Sequence, residues 1–334
     1  MNFKSLKVSY LLILSFVILG ASLTSCKNNS EEKNTEPVEK NVEKSQDSLF
    51  FKLSLAQWSL HKPIFDGELD PMDFAERANE LGFEGLEYVT DFYAERIKSA
   101  KDPKEEMQLV LDSLKAKSEE FNMKNLLLMI DGEGDLATND TVARNKAVED
   151  HKKWVDAANY LGCHSIRVNL FGSDVPDEWV SNSVDALSKL SKYAKQKNIN
   201  VLVENHGYLS SNADLLVKVM QKVNMENCGT LPDFGNFCLK REGGERWDAK
   251  CVEEYPRYEG IKKMMPYAKA VSAKSYSFND KGQEEIMNYT KILKIVKDAG
   301  YTGFIGVEFE GTDITPEKGI KATRDLLIQA GQTL

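Results

Sequence analysis

Residues 199–208 read INVLVENHGY, and the fold is decided by how this stretch is read. Ile199, Val201 and Val203 alternate with Asn200, Leu202 and Glu204 in a short run rich in β-branched residues, the pattern of a strand buried on both faces. The run ends in Glu204, Asn205, His206 and Gly207. A carboxylate buried beside such a strand is costly unless a cation or hydrogen-bond donors compensate it, and the glycine then lets the chain turn sharply. Three other runs finish in the same way: LLLMIDGEG at Asp131, GTLPDFGNF at Asp233 and FIGVEFEG at Glu308. Acidic residues collected at the carboxyl ends of several parallel strands indicate a single α/β domain, a (β/α)8 TIM barrel whose upper rim binds a metal ion or a polyol.

The chain on either side carries the alternation that a barrel needs. Strand patterns fall at 51–59, 83–89, 125–130, 164–169, 228–232, 268–274 and 304–309, in addition to the opening run. Between them lie helical stripes, started by Asp70-Pro71 and Asp102-Pro103 and continuing over 141–161, 177–196, 211–223, 286–299 and 316–330. ANELGFEGLE, ANYLGCHSIR and KDAGYTGFIG share one arrangement of helix end, glycine and new strand, an internal echo of a βα corner. No Gly-x-Gly-x-x-Gly follows the first strand, which argues against an open doubly wound sheet. Residues 234–258, rich in Gly, Arg, Glu and Trp, read as an irregular insertion and a candidate lid.

The amino end reads as a targeting segment. Lys4 and Lys7 precede the apolar run YLLILSFVILGASL, which is short for a membrane span and ends at Leu23-Thr24-Ser25-Cys26. That ending resembles a bacterial lipobox, so residues 1–25 are expected to be a lipoprotein signal peptide and Cys26 the lipidated first residue of the mature chain. Residues 26–50 are almost all polar or charged and read as a flexible tether, leaving 51–334 for the barrel. The expected location is the cell envelope, with the membrane reached only through the lipid anchor. Of the remaining cysteines, Cys163 and Cys228 read as small buried hydrophobes; a Cys238–Cys251 bridge is compatible with export, and no disulfide framework is expected. A net charge of −9 without a basic cluster disfavours nucleic acid as a partner.

From about Leu53 to Leu327 the chain resembles the xylose isomerase-like TIM-barrel family, which takes in sugar phosphate isomerases and epimerases, inosose dehydratases and endonuclease IV. The resemblance rests on Glu204 in VLVENHG, Asp233 in LPDFGN, the Gly300–Gly303 approach to the last strand, and Glu308 in GVEFEG. It implies one divalent ion (Mn, Zn, Co or Mg) held by Glu204, Asp233 and Glu308. The family's fourth ligand is a strand-seven histidine, and Ser272 stands there instead, a poor ligand for Zn²⁺ or Mn²⁺. Either His206 or water completes the shell, or the metal is absent and Lys274 supplies the positive charge.

Such a site moves protons. With Glu204 and Glu308 on opposite faces of a bound sugar, and His206 or Lys274 as acid, a proton next to a carbonyl can be removed and returned through an enediolate. The expected activity is a metal-dependent isomerase or epimerase of a non-phosphorylated saccharide, since no basic phosphate cradle follows the last strands. The alternatives are a lyase or hydratase of keto-sugars or keto-glycosides, and a saccharide-binding lipoprotein without catalysis. Trp58, Asp131, Arg167 and Asn169 are candidate substrate contacts at strand ends, although Arg167 could equally be a buried partner of Asp131 or Glu133. Glu310 shares the strand face of Glu308 and competes with it as ligand. His151 reads as a core histidine, and His61 and His164 are divided between structure and substrate.

Overall fold

The structure, a computed structural model, describes residues 49–334 apart from residue 248. The signal segment, Cys26 and the tether up to residue 48 fall outside the described residues. Eight parallel strands form the sheet: β1 Lys52–Ala56, β2 Gly85–Val89, β3 Lys124–Met129, β4 Ser165–Val168, β5 Asn200–Glu204, β6 Cys228–Leu231, β9 Val271–Ser275 and β10 Phe304–Phe309. Their order is β6-β5-β4-β3-β2-β1-β10-β9. The two end strands meet through isolated parallel bridges, Thr230 with Ala268 and Asp233 with Ser272. Backbone hydrogen bonds from Ser272 N to Pro232 O (3.0 Å) and from Phe234 N to Ser272 O (3.0 Å) close the ring at that seam. The expected (β/α)8 barrel is the fold.

Local signals in the sequence start and stop the outer helices. The Asp102 side chain accepts from the N–H groups of Lys104 and Glu105 ahead of the helix Pro103–Glu120, and Asp140 caps Thr141–Leu161 in the same way. Each cap satisfies donors that the first turn leaves without intrahelical partners. Thr141–Leu161 stops at Gly162, whose φ of 79° is open to a residue with no Cβ. Two short helices at the barrel mouth, His61–Phe65 and Asp91–Ser99, escape the sequence reading because they have almost no inward stripe; Tyr93 is the one residue buried between them. Leu49 and Phe50, placed in the tether on composition, pack against the core.

The insertion after β6 is not irregular. It folds into an antiparallel hairpin of β7 Cys238–Arg241 and β8 Cys251–Glu254, followed by the helix Arg257–Met264. Both hairpin strands are largely solvated, so no apolar alternation marks them in the sequence. Cys238 and Cys251 are joined by a disulfide that ties the two strands together, while Cys163 and Cys228 are free and buried. Among the described residues no helix is long and apolar enough to cross a membrane.

Two layers of core follow from the barrel. The outward side chains of the strands pack under the helices in the large apolar cluster that includes Leu55, Leu128, Ile166, Val201, Val203 and Val307. Inside, the apolar filling is small: Ala56, Val89, Leu127, Met129, Leu202, Leu231 and Ala270. Barrel interiors are ordinarily filled by bulky branched side chains. Here Ser54, Glu87, Arg167, Glu204, Ser272, Lys274 and Glu308 are also buried. Glu87 on β2 is held by Ser54 Oγ, which donates to its Oε1 at 2.6 Å. It fits because residue 306 on β10 lacks a side chain: a Cβ there would stand 2.5 Å from both carboxylate oxygens.

Gly306→Ala is therefore expected to lower stability by about 1–3 kcal/mol through overpacking. Adding Glu87→Ala should recover more than half of that loss in a chemical-denaturation double-mutant cycle. Additive effects in the cycle would show that the two positions do not meet.

Candidate active site

Four elements deliver the central side chains. Glu204 is the last residue of β5, Asp233 follows β6 by two residues, Ser272 and Lys274 face inward from β9, and Glu308 lies on β10. Register does the alignment: Glu308 is paired with Lys274 and Gly306 with Ser272 along β9 and β10. One carboxylate oxygen from each of Glu204, Asp233 and Glu308 lies within 4.8 Å of the others, and all three residues are buried. The sequence expectation that these three converge is met by the geometry.

Asp233 is fixed from below. Its Oδ1 accepts the backbone N–H groups of Gly235 and Asn236 at 2.7 Å, while its own N–H donates to Asn205 Oδ1 at 2.7 Å. Asn205 also donates to the Asp233 and Asn236 carbonyls, and Asn236 Nδ2 reaches Glu204 Oε1 at 3.2 Å. Lys274 lies over this loop closely enough that a Cβ at Gly235 would meet its Cγ at 2.6 Å. Its ammonium is 2.6 Å from Glu308 Oε1, 3.2 Å from Glu310 Oε1 and 4.0 Å from Asp233 Oδ2. Glu308 thus sits with the triad while Glu310, more exposed, takes the Trp58 indole N–H at 2.5 Å.

Ser272 bridges two of the carboxyl groups. Its Oγ is 2.8 Å from Asp233 Oδ2 and 2.9 Å from Glu308 Oε2. Its one hydrogen is shared between the two carboxyl groups, a donor placed where they come closest. Burial first, and then the charges of Glu204 and Glu308, push the Asp233 pKa up to about 8 against the pull of Lys274 and of the Ser272 hydroxyl. Burial likewise raises Glu204 to about 7, with Arg167 opposing, and Glu87 to about 8. The same argument tests the fit of a divalent ion. Three buried carboxyl groups converging on one point make a well of negative charge that a cation would fill, and the residues present do fit one. An all-oxygen donor set without imidazole suits a hard ion such as Mn²⁺ or Mg²⁺ better than Zn²⁺.

The second row is a chain of polar contacts along one wall. Arg167 Nε stands 2.9 Å from Glu204 Oε2, a contact of charge outside good hydrogen-bond angle, and its Nη1 is 3.0 Å from Asp131 Oδ1. Asn169 donates to Asp131 and accepts from His206 Nδ1 at 2.8 Å. The partners of Arg167 are Asp131 and Glu204; Glu133 instead holds Trp154 and Lys153. His206 is not in the ligand group with Glu204, Asp233 and Glu308, contrary to one expectation, because its ring turns toward Asn169, Phe171 and Trp247. Burial, then the charges of Arg167 and Lys274, lower its pKa to about 4, so it is a neutral imidazole at pH 7. Asp131 and Glu310 are pushed up by burial, yet Arg167 and Lys274 respectively leave them below their ordinary values.

Other expectations resolve simply. Trp58 spends its N–H on Glu310 and stacks with His61 and Phe92, so it holds the mouth together. His151 is buried with Nδ1 at 2.7 Å from Ala147 O, and His164 contacts Ser165 at the start of β4. Glu87, Asn205 and Asn236 escaped the sequence reading. A single glutamate inside the apolar strand GLEYV was the available signal for Glu87; nothing local marks the two asparagines.

A profile of the xylose isomerase-like TIM barrel family matches residues 75–330. Among solved structures the chain is similar to the apo 3-keto-D-glucoside 4-epimerase of E. coli, with 11% identity and TM-score 0.60 over 78% of this chain and 94% of that one. It is similar to an L-ribulose 3-epimerase (12%, TM-score 0.62, 85% and 95%) and to the IOLI protein with a bound zinc atom (15%, TM-score 0.59, 85% and 99%). At such identities the likeness carries the fold alone. No curated protein matches by sequence.

The raised carboxyls set a pH dependence. Folded Glu87, Glu204 and Asp233 keep protons that the unfolded chain has already released, so stability falls as pH rises through about 7 to 8. His206 acts in the opposite sense, but only below its ordinary 6.5. In chelator, the unfolding free energy should drop by about 4 kcal/mol between pH 6.5 and pH 8, and Mn²⁺ should restore it with release of protons. A flat or rising profile would show that the carboxyls are ionised throughout.

Proposed function

The chain belongs to the xylose isomerase-like TIM barrel family, and we propose that it is a sugar isomerase or epimerase acting on a non-phosphorylated saccharide by proton transfer. The observation that carries this reading is the pair Glu204 and Glu308: buried carboxylates from strands well apart on the ring, β5 and β10, brought to one point at the carboxyl end of the barrel. A base with a pKa near the working pH combines basicity with a useful deprotonated fraction, and Glu204 is at about 7.

The residues divide the work by position. Glu204 takes the proton from the carbon next to a sugar carbonyl. The C–H electron pair moves into the C–C bond and the carbonyl pair onto oxygen, giving an enediolate. For isomerisation Glu204 returns the same proton to the neighbouring carbon; for epimerisation Lys274 gives a proton through Glu308 to the opposite face, and the proton left on Glu204 goes back to Lys274 through solvent. A divalent cation held by Glu204, Asp233 and Glu308 would supply Lewis-acid polarisation of the sugar oxygens. Lys274, buried against Glu308, adds fixed positive charge where oxygen becomes negative, and burial opposed by Glu308, Glu310 and Asp233 leaves it protonated. Arg167 orients Glu204, and Asn169 presents the neutral His206. Two features support a free or glycosidic sugar over a phosphorylated one: both buried cations of the site are already engaged by carboxylates, and the site as a whole is acidic. The lipobox-like start adds an envelope location to the proposal.

The test is NMR in D2O with a panel of ketohexoses and 3-keto-glucosides, Mn²⁺ present. Deuterium should enter a sugar carbon, and Glu204→Gln and Glu308→Gln should each slow its entry by about 10²-fold or more with the fold intact by circular dichroism. Release of an aglycone instead would make the protein a lyase of the same site. Saturable binding with neither event would make it a saccharide-binding protein.

A further inference from the structure

Next to Phe171, whose ring packs against His206, a cavity of about 300 Å³ opens between the loops after β4 and β5 and the disulfide-tied hairpin. Its floor is apolar, formed by Leu170, Trp179, Leu209 and Leu239, and the Trp179 N–H is already spent on Leu170 O at 2.8 Å. Its rim is polar: Asp174, Tyr208 and Arg246. We propose that this cavity is a subsite for a second sugar ring, so that the substrate is a disaccharide or other glycoside whose first ring occupies the carboxylate triad. The assignment rests on the sugar-proton-transfer reading of the adjoining site.

Three observations carry it. The cavity and His206 share a wall: Phe171 lines the cavity and packs 6.1 Å from the His206 ring, and Trp247, from the hairpin tip, stands 5.1 Å from His206 and 5.8 Å from Phe171. Only this aromatic layer stands between a ring lying against Phe171 and His206, which follows Glu204 by two residues in the chain. The hairpin is held over the gap by dedicated contacts. Arg246 stacks its guanidinium 4.7 Å from the Phe171 ring, and the Tyr208 hydroxyl donates to the Glu245 carbonyl. Tyr208 does this from a φ of 53°, a conformation costly for a bulky residue and characteristic of functional sites. The lining also has the right chemistry. An apolar floor with aromatic edges and a polar rim matches a pyranose, which offers C–H faces and a girdle of hydroxyls. The lining has one arginine, which lies 4.0 Å from Asp135, and one aspartate, so there is no surplus of positive charge for a phosphate. The volume lies at the small end of ligand sites, about 300–1,000 Å³, enough for one ring.

Isothermal calorimetry with D-glucose, methyl glucosides, maltose and cellobiose, in the Mn²⁺-loaded full-length barrel, reads the ratio of disaccharide to monosaccharide affinity. At least one disaccharide should bind about tenfold more tightly than glucose. Arg246→Ala, and separately the Cys238→Ser/Cys251→Ser pair, should bring that ratio close to one. A wild-type ratio near one for both disaccharides overturns the subsite, as does a high ratio that neither variant changes. Deuterium exchange measured on the corresponding 3-keto sugars separates the two claims. Exchange with no disaccharide preference sinks the subsite alone, whereas absence of exchange in every sugar sinks the proton-transfer reading beneath it.

Discussion

The structure depends on burying more negative than positive charge inside one barrel. Glu87, Asp131, Glu204, Asp233, Glu308 and Glu310 surround two cations, Arg167 and Lys274. A fully ionised set would be prohibitive at such depth, because desolvation of each ion costs several kcal/mol and like charges repel strongly where water is excluded. The molecule answers by keeping protons. Burial keeps Asp233 and Glu87 protonated up to about pH 8, and Ser272 places one donor hydroxyl between Asp233 and Glu308. Proton and divalent ion are then alternative occupants of the same negative well, and a site that exchanges one for the other is prepared for proton transfer.

The fold makes room for this. Small residues inside the ring, Ala56 and Ala270 in the apolar layer and Gly306 beside Glu87, leave space that a bulkier interior would fill. Above them the ends of β5, β6, β9 and β10 each contribute a polar group, and the outer helices supply the apolar burial that balances their cost. Asn205 and Asn236 link the ends of β5 and β6, so Glu204 and Asp233 are positioned by one hydrogen-bonded unit. The hairpin tied by Cys238 and Cys251 adds an outer wall next to this unit without belonging to the barrel.

Much of this was legible in the sequence, and for physical reasons. Glu204, Asp233 and Glu308 stand out because an acidic residue ending a β-branched run contradicts its surroundings, and such contradictions mark sites. Caps such as Asp102 and Asp140 are local devices, readable three residues at a time. What was not legible depends on the third dimension. His206 lies two residues past Glu204, yet Gly207 and the turn that follows send its ring toward Asn169 rather than into the triad. The bond from the Trp58 N–H to Glu310 joins residues 252 apart in the chain, beyond any local reading. The hairpin had no apolar period because it is exposed on both faces, and Glu87 was passed over inside a strand otherwise read for its hydrophobic period.

Infrared difference spectroscopy of the metal-free protein at pH 7 tests the shared-charge account most directly, since a protonated carboxyl has a C=O stretch distinct from that of a carboxylate. The account predicts a buried carboxyl band that loses its Asp233 component in Asp233→Asn and on addition of Mn²⁺, while the component from Glu87 remains. Spectra showing only ionised carboxylates at pH 7, unchanged by the substitution or by the ion, would contradict it.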